Sequence, residues 1–170
     1  MKKLVISCLV ALMLVASITA PVIADTDGSL GASVNVNQVM SLTVVDNTPG
    51  TGIYFGDVDE GTDNNPDLAQ GDTKGAVTLQ VGSETNVDVY LQTKGDGDFT
   101  GPGTAIPLGN ASWNNANSTA SLTAMDTDYE TVGSLISGGG NVEVWHWISI
   151  PEDQEAGTYT TSFSYQVIAQ

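Results

Sequence analysis

The chain has 170 residues, twenty of them Asp or Glu against four lysines, no arginine, and a formal charge of −16. That balance excludes nucleic-acid binding, which neutralises phosphates with basic side chains, and it disfavours anionic membrane surfaces. A single cysteine, Cys8, excludes an intramolecular disulfide framework.

Lys2 and Lys3 precede an apolar run, Leu4 to Ile18, and the small-residue end Val22-Ile23-Ala24 follows Pro21. This is the grammar of a secretory signal peptide cleaved after Ala24. The run is short for a membrane span, which needs about 20 apolar residues; an uncleaved anchor is the alternative. Cleavage removes Cys8 and two lysines, so twenty acids then face Lys74 and Lys94 alone, a formal charge of −18. No membrane insertion is expected of the mature chain, which would be secreted or held at the cell surface. The remainder, Asp25 to Gln170, is one domain's worth of chain, and at that length a domain buries roughly 70% of its unfolded surface without staples.

After the signal, apolar residues recur every second position, the period of half-buried strands. Residues 25–39 read as a flexible Gly-, Ser- and Asp-rich leader ending in a β-prone stretch, and residues 40–170 as the folded domain. In Ser33 to Val45 the alternation Val34/Val36 slips near Asn37-Gln38 and resumes at Met40/Leu42/Val44, the mark of a bulge or strand break. Gly52–Val58 places Ile53 and Phe55 on one side. Gly75–Val81 turns Val77, Leu79 and Val81 inward, and Asn86–Lys94 turns Val87, Val89 and Leu91 inward. Weaker strands are expected at 105–108, 121–125 and 131–136. Asn141–Pro151 and Thr158–Gln170 complete the set, joined by a loop that suggests an antiparallel pair. Gly-, Asn- and Pro-rich turns separate these runs. Together they predict an all-β fold, an antiparallel Ig-like or jelly-roll-type β-sandwich.

The last strand raises a question of pairing. Tyr159, Thr161, Phe163, Tyr165 and Val167 share one face, and no Lys, Pro or charge guards the edge, although natural edge strands are usually blunted in that way. Either neighbours cover it on both sides, or its edge is meant for another chain. The leader supplies a counterpart. A flexible arm with Val34 and Val36 two apart has the form of a donor strand, whose main chain adds to an open sheet while alternate side chains fill pockets. The other reading makes those valines the first strand of their own domain.

Three groups of residues are candidates for binding. Asp57, Asp59, Glu60, Asp63 and Asp67 crowd one stretch and have the oxygen chemistry of a calcium site. Their spacing is not that of an EF-hand, because the twelfth position from Asp57 is Leu68, not Glu; a plain acidic turn is the other reading. Trp145 and Trp147 lie on the strand face opposite Val144 and Ile148. Pointing outward they form a platform for carbohydrate or a protein partner; pointing inward they are core. Asn110 and Asn117 begin N-glycosylation sequons. His146 alternates with Val142, Val144 and Ile148, which places it on an apolar face with a hydrogen-bonding partner. No nucleophile elbow, phosphate loop or H-E-x-x-H motif occurs, and the expectation is a non-catalytic protein.

The stretches "IYFGDVDEGT" (53–62), "NVDVYLQT" (86–93) and "WISIPEDQEAGTYTTSFSY" (147–165) resemble secreted Ig-like surface domains of archaeal and bacterial envelope proteins, including TasA-like fibre subunits and bundling-pilus subunits. The resemblance implies a β-sandwich that polymerises by donor-strand exchange. Two roles arise as expectations: a self-associating subunit of an extracellular filament or surface layer, or a monomeric carbohydrate- or partner-binding module.

Overall fold

A computed structural model describes residues 33–46, 52–67 and 77–170. The signal peptide with its cleavage after Ala24, most of the leader, and Lys74 lie outside the described residues. Contacts divide the chain into two units, Met1–Asn35 and Val36–Gln170. Of the first unit, residues 33–35 carry no regular structure and are exposed. All regular structure among the described residues belongs to the second.

The second unit is an all-β antiparallel sandwich, with nine strands among the described residues: β1 (Leu42–Asp46), β2 (Asn65–Pro66), β3 (Val77–Val81), β4 (Val89–Gly95), β5 (Ala111–Asn114), β6 (Thr123–Ala124), β7 (Glu130–Leu135), β8 (Gly140–Ile148) and β9 (Phe163–Ala169). The larger sheet runs β1-β3-β8-β5-β6, with β2 also on β8, and the smaller runs β7-β4-β9. A 3-10 turn, Leu108–Asn110, leads into β5. Among the described residues there is no α-helix.

The core follows from side-chain alternation on facing sheets. Val77, Leu79 and Val81 of β3 meet Val89 and Leu91 of β4, with Val132, Val144 and Ile148 around them. All eight are buried, as the two-residue period predicts for the first five. Truncating Leu79 or Leu91 to Ala would cost about 2–5 kcal/mol by lost transfer energy plus cavity. A bulge does occur, but on β7. Leu91 faces Gly133 and Gln92 faces Thr131, so Val132 is the extra residue, and it turns into the core.

Several strand expectations need correction. Residues 33–41 form no strand; β1 begins at Leu42. There the Asn86 side chain takes the place of a ladder: its Oδ1 accepts from Val39 N at 2.8 Å and its Nδ2 donates to Asn37 O at 2.9 Å. The stretch 52–58 is not a strand either. Gly52 and Gly56 adopt φ of 65° and 80°, left-handed turns that break a pleat, although Ile53 and Phe55 still share a side against the core. In 105–108 only Ile106 pairs, in an isolated bridge to Phe99, and 121–125 shrinks to the two residues of β6.

The largest correction is that β8 and β9 do not pair. One edge of β8 is taken by β3 and then β2, the other by β5. The chain therefore crosses to the other sheet over residues 149–162, where β9 pairs with β4 along all seven of its residues. Among the described residues β4 is its only ladder partner, so β9 forms the rim of the smaller sheet.

Candidate functional site: an apolar cleft between the sheets

Three strands cannot cover five. At about 4.8 Å per strand the smaller sheet is roughly 10 Å narrower than the path β1 to β6, and irregular chain must close the sandwich. Among the described residues that closure is incomplete on the side of β1 and β9. A cleft of about 980 Å³ opens there, with Val77, Phe99, Ile106, Ile148, Phe163 and Tyr165 among its lining residues. Residues 52–60 line it on one side and residues 154–162 on the other. Phe99 and Ile106 are held by their mutual backbone bonds of 2.9 and 3.1 Å. Phe99 meets Phe163 edge to face at 6.1 Å between centroids.

His146 braces the wall behind Phe163 and Tyr165. It is 0% exposed, stacks on Phe163 with centroids 5.6 Å apart, and its Nε2 lies 3.1 Å from Tyr165 Oη. This is the apolar setting with a hydrogen-bonding partner that the alternation predicts. Burial pushes its pKa down to about 3, because a charged imidazole would lose its hydration. The neutral ring joins β8 of one sheet to β9 of the other.

The outer mouth of the cleft is stapled by Tyr159. Its hydroxyl bonds Pro102 O and lies 2.9 Å from Glu155 O, while Gln154 Nε2 donates to Tyr159 Oη at 2.8 Å and to Thr104 O at 2.6 Å. Glycines permit this approach. A Cβ on Gly101 would sit 2.6 Å from Thr158 O, and one on Gly157 would overlap the Pro102 ring. In the sequence, residues 95–103 carry the Gly- and Pro-rich composition of a turn. The signal it offered was small residues recurring in two distant loops.

The other candidates separate clearly. Trp145 and Trp147 are 4% and 3% exposed, so they form no outward platform. Both faces of β8 are covered in its second half, which period-two alternation cannot reveal. Asp57, Asp59, Glu60 and Asp63 are exposed and Asp67 is buried. Among the described residues no three metal-ligating side chains converge, these included. The reason is local: from Gly61 to Asp67 the segment runs along residues 146–151 through Gly61 N to Pro151 O, Ile150 N to Thr62 O and Asp67 N to His146 O, instead of curling round a point. Asn110 is half-buried and its Nδ2 donates to Ser149 O at 3.0 Å, which occupies the nitrogen that a glycan needs. Asn117 is exposed. Val34 and Val36 are 87% and 77% exposed.

Compared with known proteins, the chain matches no family model and no curated protein sequence.

Proposed function

We propose that the protein is a non-catalytic, secreted structural subunit that self-associates into an extracellular filament or surface layer by strand complementation. The observation that carries this reading is the cleft between the sheets, with apolar side chains in its lining and β9 at its border, in a chain that also exposes Val34 and Val36. A cleft of that size accepts side chains, and a bordering strand offers register for an added backbone. Full burial of two valines contributes on the order of 3–6 kcal/mol, enough to set specificity. Export is read from the first 24 residues.

The test is direct binding. A fluorescent peptide of residues 33–41, SVNVNQVMS, is titrated into protein whose own arm is silenced by Val34→Asp and Val36→Asp. Saturable binding is expected, and a peptide carrying the same two aspartates should bind at least about 100-fold more weakly. Equal or absent binding of both peptides would remove the reading.

A further inference from the structure

We propose that the outer face of the smaller sheet binds a neutral, extended polysaccharide with β-1,4 linkages. This face lies on the far side of β7, β4 and β9 from the cleft, so the proposal stands whether or not the strand-donation reading does. On β4 the inward side chains are Val89, Leu91 and Thr93, all buried. Tyr90, Gln92 and Lys94 therefore point outward, as alternation requires. Their register partners on β9 are Ile168, Gln166 and Ser164. On β7, Ser134 stands opposite Tyr90 and Thr131 opposite Gln92.

The groups on this face are held in order. Gln166 Nε2 donates to Gln92 Oε1 at 2.6 Å, and Gln92 Nε2 donates to Thr131 Oγ1 at 3.4 Å, so one line of bonds crosses all three strands. An amide has two N–H donors and two acceptor lone pairs, and after these bonds each glutamine keeps a donor and an acceptor for a ligand. Aromatic rings stand at the two ends. Tyr90, 39% exposed, lies beside Ile168 at one end. Tyr129, 37% exposed, lies at the other, where Lys94 Nζ sits 5.0 Å over its ring. Tyr90 and Lys94 are about 13 Å apart at strand rise, which sets the rings along a line and not round a point.

Charge narrows the occupant. In a chain of formal charge −16, none of these outward positions is Asp or Glu. The acids at the two ends of β4 are turned to local donors: Asp88 Oδ1 accepts from Ser137 N at 2.8 Å and Asp96 Oδ1 from Ser164 Oγ at 3.2 Å. A polycation finds a stronger field elsewhere on the molecule, and a polyanion meets a single lysine against the net charge of the whole chain. The ligand is thus uncharged. The order of the groups gives its shape. Protein partners seat an apolar centre within a polar rim, and this face has the reverse, amides in the middle and rings at the ends. A neutral β-1,4-linked glycan matches it. Its flat C–H faces stack on the negative faces of the rings, and its hydroxyls both donate and accept, as the amides do.

The experiment titrates cellohexaose, and separately the hexamer of N-acetylglucosamine, into protein purified as its host exports it, by isothermal titration calorimetry. Alginate, a β-1,4-rich polyanion, is the counter-probe. Tyr90→Ala, Tyr90→Phe and Gln92→Ala are compared with Gln80→Ala, an exposed position on β3 of the other sheet, and melting temperature is recorded for each. At least one hexasaccharide should bind the unaltered protein with a Kd below about 1 mM, weakened at least about tenfold by Tyr90→Ala and by Gln92→Ala. Tyr90→Phe, which keeps the ring, should restore most of the loss, and Gln80→Ala should bind as the unaltered protein does. Equal binding by all variants, or binding of alginate in preference to both hexasaccharides, would overturn the proposal. So would silence of the unaltered protein toward both at about 5 mM, which would leave the face to a protein partner or to solvent.

Discussion

His146 shows how one side chain couples the sandwich to proton concentration. Its imidazole titrates near the ordinary value of about 6.5 when unfolded and at about 3 when folded. The unfolded chain thus takes up a proton that the folded chain refuses. The stability from this group is whole above about pH 6.5 and is lost as pH falls toward 3, at no more than about 1.4 kcal/mol per pH unit. Between pH 7 and 5, before most carboxylates protonate, urea unfolding of the unaltered protein should show this slope. His146→Gln should flatten it, whatever its stability at pH 7; an identical slope in both would show that another group titrates. At the same scale, legibility in the sequence was uneven. Val77, Leu79, Val89 and Leu91 could be placed because their strands have one wet face, which writes the period into the residues. Trp145 and Trp147 could not, since a strand buried on both faces carries no contrast between odd and even positions.

Among elements, the decisive one is the crossing from β8 to β9. Neighbouring strands in sequence usually pair, and that tendency favoured a hairpin between them. It lost because β3 and β2 pair along one edge of β8 and β5 takes residues 145–148 of the other, a fact of global topology that no local window contains. The crossing is held by close backbone approach, and this can be measured. Gly157→Ala should destabilise by about 1–3 kcal/mol through overpacking against Pro102, seen as a lower urea midpoint at constant slope. Gly109→Ala, with no atom within 4 Å of the new methyl, should change the midpoint little. Equal effects at the two sites would mean that the loops part freely. The cleft itself was not legible in advance. Of its floor residues, Phe99 comes from a stretch whose sequence signature is turn composition, and Ile106 from a weak strand signal that did not say what it would face.

For the whole molecule, charge sets the conditions of association. The chain, with twenty acids against four lysines, repels its copies at low ionic strength. Of these lysines, Lys94 lies 5.0 Å over the Tyr129 ring, occupied within its own chain. Screening shortens that repulsion to about 8 Å at 0.15 M salt and about 3 Å at 1 M. Assembly should therefore rise steeply between 20 and 500 mM sodium chloride. Calcium chloride at matched ionic strength should do no more, given that no three of the described acidic side chains converge. A calcium effect well beyond that match would reveal a site formed between copies. Sedimentation across both salt series checks this.

The clasp by Asn86 has a mechanical consequence. Tension applied through residues 33–36 reaches the sandwich at Asn37 and Val39, and passes next to β1. Since β1 lies antiparallel to β3 across five register pairs, a pull from its leading end loads the ladder lengthwise. In that geometry the rungs share the force and must yield together, whereas a pull across the sheet would peel them one by one. The domain thus withstands tension drawn through its N-terminal segment better than the same tension applied across the sheet.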